Sequence, residues 1–214
     1  MYFFLLAGGL WHILDVLQTT MNLLAGPVLI GLAIWLCYEF LSFQENQSGS
    51  KSFHKSHFLL WALLVVAVSF SVETIGVKTG KIFGVYGYGD ILWPQIAGVP
   101  IAIGFAWLLM MLSSTAFMQR LPAIKQWQIF PRAVVIAVLM TYFDFMMEPA
   151  AIKLGYWTWA SESVPLQNYL AWFILSFVLA FAGNRVGLFD LKQPALAVHA
   201  YFAQLIYFIM IFFK

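Results

Sequence analysis

The chain has 214 residues, of which 63% are apolar and only 9% are charged, and its net charge is +2. Soluble domains carry about 25% charged residues, so this chain lacks the polar side chains needed to cover a surface in water. The small net charge argues against nucleic acid as a partner, and a single cysteine, Cys37, excludes an intrachain disulfide. The composition predicts an integral membrane protein.

Apolar segments close to the ~20 residues of a transmembrane helix recur along the whole chain. The first has no basic residue ahead of it and contains Asp15, so it is predicted to be a retained helix rather than a cleaved signal peptide. The fold is predicted to be all-α: one polytopic membrane helix bundle covering 1–214, with seven transmembrane helices. The predicted spans are 2–18, 22–43, 57–75, 95–117, 131–148, 165–184 and 194–213.

Polar residues and positive charges indicate an orientation in the membrane. The segment 44–57, QENQSGSKSFHKSH, is the only hydrophilic linker. Seven of the eleven lysines and arginines lie in the loops after the second, fourth and sixth spans. The positive-inside rule then predicts a cytoplasmic N-terminus and a multi-pass protein of the inner cell membrane, in contact with the lipid bilayer.

An internal repeat relates two parts of the chain. ETIGVKTG begins at Glu73 and EPAAIKLG at Glu148, and both read Glu, four residues, Lys, one residue, Gly. Downstream, each copy has a Val-Pro pair with a tryptophan seven residues after the proline, at Trp107 and Trp172. A unit of helix, loop and helix repeated in parallel places both loops on one membrane face. The predicted units cover about 57–117 and 131–184.

Each repeat glutamate is expected to end a helix. Glu148 precedes Pro149, and the residue before a proline disfavours helical geometry. Glu73 lies three residues before Gly76, a residue type common at helix ends. The following loops are rich in Gly, Tyr and Trp, and irregular backbone is tolerated at membrane depth only when it is buried in protein or lines a cavity. Both loops are therefore predicted to cover one shared pocket.

Two carboxylic acids in the second repeat are candidates for acid catalysis. Asp144 and Glu148 are four residues apart, so they share one helix face. Two such groups in an apolar setting disfavour each other's ionisation, so one is expected to stay protonated near neutral pH and to serve as a general acid. The first repeat has Ser69 at the position of Asp144, so its glutamate, Glu73, has no acidic partner on that face.

Structural roles remain open for the same residues. Glu73 and Glu148 could pair with Lys78 and Lys153 and so fix the two loops. Asp144 could instead be a hydrogen-bonding residue that holds two helices together. These roles do not require a reaction.

Aromatic residues of the two loops fit two interpretations. They could form an interfacial belt, the ordinary role of Trp and Tyr in membrane proteins, or they could line a pocket where ring faces stabilise a cation. Asn168, near the start of the sixth span, is expected to hold a water molecule or a loop carbonyl. The six aromatic residues are Tyr86, Tyr88, Trp93, Tyr156, Trp157 and Trp159.

No metal or cofactor site is predicted. His12 and Asp15 share a face of the first helix and His199 lies in the last, but none has metal-ligand spacing, so all three are expected to be buried hydrogen-bonding residues. Asp90 is expected to be a turn residue. Phosphate-binding glycine loops and nucleophilic serine or cysteine motifs are absent from the sequence, so nucleotide chemistry and acyl transfer lack support.

Two blocks of the sequence resemble a known family. VETIGVKTGKIFGVYGYGDILWPQIAGVPIAIGFAWLLM resembles the first signature block of the membrane carotenoid hydratases, the gamma-carotene 1′,2′-hydratase and bisanhydrobacterioruberin hydratase group. DFMMEPAAIKLGYWTW, together with VPLQNYLAW, is similar to the second, and the blocks cover about 72–173. The chain has Glu148 where the family commonly has aspartate before proline, and Ile82 where it commonly has proline. Neither change removes a carboxyl group.

The resemblance implies a hydro-lyase without a cofactor, acting on a carotenoid dissolved in the bilayer, with other carotenoid-biosynthesis enzymes as partners. Water would add to the terminal C1=C2 bond of an acyclic end group, through protonation of C2 and a tertiary cation at C1. Asp144 and Glu148 would be the acid and its partner, and Glu73 would position water or balance the cation. The loop aromatics with Asn168 and Trp172 would bind the substrate.

Two other functions start from the same features. In a lycopene-type cyclase, the same protonation occurs but a neighbouring double bond captures the cation. A non-catalytic transporter or carotenoid-binding protein would also suit a repeat with interrupted helices. The sequence lacks the ion-coordinating polar residues expected along a transport pathway, which makes the transporter the weaker alternative.

Overall fold

The chain is described by a computed structural model that covers residues 1–46, 54–124, 127–185 and 187–214, so half of the predicted linker 44–57 lies outside the described residues. These residues form seven α-helices with short β-strands between them. The helices are α1 Tyr2–Ile13, α2 Gln18–Glu45, α3 Lys55–Thr79, α4 Ile101–Met118, α5 Ile129–Lys153, α6 Leu166–Arg185 and α7 Ala195–Phe212. The strands are β1 Tyr86–Tyr88, β2 Gln95–Ile96, β3 Val99–Pro100 and β4 Trp157–Trp159.

The helices α2 to α7 are each long and apolar enough to cross a membrane. The predicted all-α membrane helix bundle is therefore confirmed. The first predicted span, 2–18, is wrong in length, because α1 has only 12 residues. It ends where the backbone of Asp15 and Leu17 turns into the left-handed region, with φ of 54° and 55°. A helix of this length covers roughly 18 Å, short of the ~30 Å hydrocarbon core.

The helices α3 and α5 continue past the repeat glutamates, so the expectation that Glu73 and Glu148 end helices is wrong. α3 ends at Thr79 and is capped by Gly80, which adopts φ +65° and donates its N–H to the Gly76 carbonyl at 2.8 Å. α5 runs through Pro149 to its last residue five positions beyond Glu148. A proline removes one helical hydrogen bond, and close packing around α5 retains the helix. The glutamates thus lie inside helices, about one and a half turns from their ends.

The loops of the two repeats meet as a short β-ribbon. β1 pairs antiparallel with β4, with Tyr86 opposite Trp159 and Tyr88 opposite Trp157. Beyond the strands, the Gly89 N–H donates to the carbonyl of the residue before β4 at 2.9 Å. Both loops therefore lie at the same end of the bundle, as expected. β2 and β3 form a separate hairpin within the first loop.

The helix α4 occupies the centre of the bundle, and most of its residues are buried. It packs against α2, α3, α5 and α7, while α6 packs mainly against α5. α4 begins directly after Pro100 and α6 directly after Pro165, and proline is tolerated at the start of a helix. The predicted start of the fourth span at residue 95 is wrong, because residues 95–100 contain β2 and β3. This arrangement brings the inner faces of α3 and α5, which carry the repeat glutamates, towards α4 and the β-ribbon.

Candidate active site

A cavity of about 80 Å³ lies beneath the β-ribbon, and each of the helices α2 to α7 contributes to its wall. Three carboxyl groups line it: Glu73 from α3, and Asp144 and Glu148 from α5. Their exposed fractions are 4%, 1% and 2%. Each therefore depends on protein groups for hydrogen bonds, because a buried polar group without a partner is costly.

Glu73 is held by three donors. Its Oε2 accepts hydrogen bonds from the hydroxyl groups of Tyr86 and Tyr88, the latter at 2.9 Å, and its Oε1 accepts from the Trp107 indole N–H at 3.2 Å. Burial raises the pKa of Tyr86 and of Tyr88, and the nearby charge of Glu73 raises both further. The two phenols therefore remain protonated and keep donating to the carboxylate.

Glu148 is held by the strand of its own repeat. Its Oε2 accepts hydrogen bonds from the indole N–H groups of Trp157 at 2.9 Å and Trp159 at 3.1 Å. Alternate residues of a β-strand point to the same face, so the two tryptophans approach one carboxylate from one strand. Tyr86 and Tyr88 approach Glu73 in the same way from the paired strand.

Asp144 has a different environment from the two glutamates. Its Oδ2 accepts one hydrogen bond, from the Asn168 side-chain amide at 2.7 Å. Its Oδ1 is buried and has no hydrogen-bond partner among the described residues. A carboxyl oxygen left in this way is suited to carry a proton, because the neutral form needs fewer donors than the charged form.

A pair of stacked indoles closes the cavity between α4 and α6. The rings of Trp107 and Trp172 lie with their centroids 3.9 Å apart and their planes at 17°. Trp172 is among the predicted binding residues and Trp107 is not, although Trp107 donates to Glu73. The signal for Trp107 was present in the sequence, because both tryptophans lie seven residues after a repeat proline.

Most of the other sequence-predicted site residues also lie on this cavity. One wall is aromatic, and the ring centroids of Tyr86 and Trp159 lie 4.9 Å apart across the ribbon. The cavity is lined by predicted residues from both loops and from α6: Tyr86, Tyr88, Tyr156, Trp157, Trp159, Asn168 and Trp172.

Three predicted residues lie elsewhere. Trp93 is 44% exposed and donates its indole N–H to the Leu23 carbonyl of α2 at 2.8 Å, while its neighbour Leu92 lines the cavity. Lys78 and Lys153 are exposed at the ends of α3 and α5. Lys153 contacts the carbonyl of a residue in α7 at 3.4 Å.

The interpretation of Lys78 and Lys153 as charge partners of Glu73 and Glu148 is therefore corrected. Tyrosine and tryptophan donors from the β-ribbon and α4 hold both carboxylates instead. Each lysine follows its glutamate by five residues, a spacing that places it on a different face of the continuing helix. The long side chains can then remain in a polar setting.

Apolar residues from several helices and from the first loop complete the wall, and no pattern in the sequence separates them from ordinary core positions. Gln204 of α7 adds an amide, which donates to the Ala200 carbonyl of its own helix at 3.0 Å. The remaining lining residues are Leu29, Phe83, Leu92, Ile103, Ala106, Met110, Phe143, Met147 and Phe208.

The polar residues of the first and last helices lie outside this cavity. His12 is buried and contacts the Gln18 side chain at 3.0 Å, as expected. Asp15 and His199 are exposed, contrary to expectation, and Asp15 forms an ion pair with Lys214. Within the described part of the chain, no group of three or more His, Cys, Asp or Glu side chains has an arrangement suited to a metal ion.

Comparisons with known proteins identify the family. The family model described as carotenoid biosynthesis protein matches residues 19–214. The bisanhydrobacterioruberin hydratase of Haloarcula japonica is 26% identical over 128 residues, which make up 56% of this chain and 44% of that relative. The chain thus spans less than half the length of this curated relative. No solved structure matches this chain. Because the family model covers nearly the whole chain, this protein belongs to the carotenoid biosynthesis protein family.

Proposed function

We propose that the protein is a carotenoid hydratase that adds water to the terminal C1=C2 double bond of an acyclic carotenoid end group. One observation carries this proposal: Asp144 has an unpartnered oxygen on an aromatic-walled cavity, beside two carboxylates that are held by protein donors. The similarity to a protein named as a hydratase supports the same reaction.

Asp144 is the proton donor in this mechanism. The Asn168 amide donates to Oδ2, so that oxygen acts as an acceptor and the proton is carried by Oδ1. Oδ1 is the oxygen without a partner among the described residues. The proton moves from Oδ1 to C2 of the double bond, its π electrons form the new C–H bond, and a tertiary cation remains at C1.

The cavity wall then stabilises the cation. Electron-rich ring faces attract cations, most strongly when water is excluded. The indoles of Trp159 and Trp172 and the phenol ring of Tyr86 supply such faces. Glu73, with three donors on its carboxylate, supplies a fixed negative charge on the same cavity.

Water addition completes the reaction. A water molecule attacks C1 with a lone pair, and one of its protons passes to the carboxylate of Glu148. Glu148 and Asp144 lie one turn apart on the same face of α5, so the proton can return to Asp144 through this pair. The product is a tertiary alcohol, and both carboxyl groups regain their starting states.

The substrate fits the surroundings of the site. An acyclic carotenoid is a hydrocarbon that dissolves in the bilayer, and the helices around the cavity expose apolar side chains. We place the reaction in the inner cell membrane, with a cytoplasmic N-terminus and with other carotenoid-biosynthesis enzymes as neighbours.

Product analysis tests the reaction. The chain is expressed in a bacterium that accumulates lycopene or gamma-carotene, and the molecular masses of the extracted pigments are measured by mass spectrometry. We expect a product heavier by one water, whose hydroxyl oxygen comes from water labelled with heavy oxygen. An unchanged mass with altered absorption would indicate a cyclase and contradict hydration. Unmodified pigment, with the protein present in the membrane, would contradict both reactions.

A further inference from the structure

The cavity is too small to contain a whole carotenoid. One water occupies ~30 Å³ of liquid volume, so the cavity of about 80 Å³ has room for a few waters or for the tip of an end group. A substrate that reacts at its end must therefore extend through the wall, and its polyene chain must lie outside the cavity.

A groove lies on the outer side of this wall, between α3 and α6. It has a volume of about 420 Å³ and is lined by Val72 and Ile82 on one side and by Leu170, Ile174 and Val178 on the other. Along α6 the lining begins at Gln167, eleven residues before its last member. The groove is thus roughly 16 Å long at 1.5 Å per helical residue.

One layer of the protein separates the groove from the cavity. At four places along the chain, one residue lines the groove and the next residue lines the cavity. The inner members include the catalytic candidate Glu73 and the stacked indole Trp172. The four pairs are Val72 with Glu73, Ile82 with Phe83, Gln167 with Asn168, and Ala171 with Trp172.

The chemistry of the groove is that of a hydrocarbon site. Leu170, Ile174 and Val178 are 55%, 61% and 55% exposed, and their spacing of four residues forms an apolar stripe along α6. Polar groups occur only at one end, where the Gln167 amide donates to the Lys81 carbonyl and so connects α6 to the first loop. The stripe runs along a helix long enough to span the membrane, so its ligand comes from the bilayer.

We propose that this groove holds the polyene chain of the substrate while the end group occupies the cavity. The end group enters sideways from the bilayer, between α3 and α6, past Phe83 and Trp172. The identity of the chain as a carotenoid rests on the proposed function. The position of the site rests on the groove itself and on its closeness to the cavity.

The test compares two substrates of different length. One is lycopene, and the other is a five-carbon isoprenoid alkene with the same terminal double bond, which is no larger than the tip of the end group and does not reach the groove. Ala171→Phe fills the groove from its inner side and Ile174→Trp fills it from its outer side. Ile34→Trp on α2 is the matched control, because Ile34 is 55% exposed and lines neither the groove nor the cavity.

We expect each groove variant to lower kcat/KM for lycopene by about tenfold or more relative to the short substrate, since displacing even two buried carbons has an effect of this size. Lycopene binding to purified protein, followed by its absorption band, should weaken in parallel. Ile34→Trp should change neither quantity. Equal losses for both substrates, or no loss for either, as when the groove holds only membrane lipid, would overturn the proposal.

The binding measurement also separates this proposal from the proposed function. If the wild type hydrates neither substrate but the groove variants weaken lycopene binding, the groove proposal stands and the hydratase proposal fails. If lycopene binding is unchanged in both groove variants, the groove proposal fails whatever reaction is catalysed.

Discussion

The two repeats hold their glutamates by the same plan but with different donors. In the first repeat, two tyrosines from β1 and the indole of Trp107 donate to Glu73. In the second, two tryptophans from β4 donate to Glu148. In both, alternate residues of one strand approach a carboxylate that lies inside the preceding helix. This arrangement of strand donors around a glutamate, which both repeats share, positions a negative charge. It does not by itself supply a proton donor.

The second repeat adds that acid through two substitutions. Asp144 and Asn168 stand where the first repeat has Ser69 and Ile103, four residues before the glutamate and three after the proline. The Ser69 hydroxyl donates to the Val65 carbonyl of its own helix at 2.7 Å and does not line the cavity. The two repeats each supply a fixed carboxylate, and the second also supplies the pair Asp144 and Asn168. One site can therefore combine a proton donor with fixed carboxylates.

Asp144→Asn removes the acid that distinguishes the second repeat and should have the largest effect on the rate of hydration. Asparagine keeps the shape of the side chain and an acceptor oxygen for Asn168, but it has no proton to deliver. We expect hydration to slow by about 10²- to 10⁴-fold, the usual contribution of a general acid. Purified variants are compared in rate and thermal unfolding. Asp90→Asn is the control, because Asp90 is exposed and outside the cavity. Normal rates in Asp144→Asn at equal protein levels would remove the acid assignment.

Glu148→Gln should rank second in its effect on activity. The variant loses the group that accepts the proton of the attacking water, and we expect hydration to slow by about 10²-fold. Its fold should be retained, because both indole donors reach the same oxygen, Oε2, and a glutamine carbonyl can accept both. Single-turnover rates and unfolding temperatures measure the two effects separately. A stable variant with full activity would exclude this role for Glu148.

Glu73→Gln should lower stability more and activity less than Glu148→Gln does. The donors to Glu73 are divided over both oxygens, and glutamine offers only one acceptor oxygen. Depending on the orientation of the amide, either the Trp107 N–H faces an amide N–H or the two tyrosine hydroxyl groups lose their acceptor. We expect a loss of about 1–3 kcal/mol in the free energy of unfolding and a smaller loss of rate than in Glu148→Gln. Chemical unfolding in detergent gives the comparison, and equal stability of the two glutamine variants would contradict it.

Gly89→Ala tests how closely the two repeats are joined. A Cβ at Gly89 would lie 2.3 Å from the Gly155 carbonyl oxygen, so the two loops would have to separate. We expect the variant to lose about 1–3 kcal/mol of stability. Gly87→Ala in the same loop is the control, since no atom lies within 4 Å of its added Cβ. Equal unfolding temperatures for the two variants would mean that the loops do not need this close approach.

Local patterns predicted much of this site, and tertiary contacts determined the rest. The four-residue spacing of Asp144 and Glu148 and the repeated loops indicated one shared pocket, because helical periodicity and duplication are readable from a sequence. The predicted end of α5 at Glu148 is wrong, because packing keeps Pro149 within this helix. The donors to the glutamates could not be predicted, since they depend on the pairing of β1 with β4, two strands far apart in the chain.

Tyr88→Phe changes only the first repeat and should have the smallest effect on stability among these variants. It removes one of three donors to Glu73 and leaves Tyr86 and Trp107 in place, so we expect a loss of about 1 kcal/mol in stability. The pKa of Tyr88 is raised by burial, so the wild type loses part of this advantage once unfolded tyrosine ionises, above a pH of about 10. The stability difference between wild type and variant should therefore be constant at lower pH and narrow above that point. A difference that widens with rising pH would contradict this assignment, because it would require Tyr88 to be ionised in the folded protein and so unable to donate to Glu73.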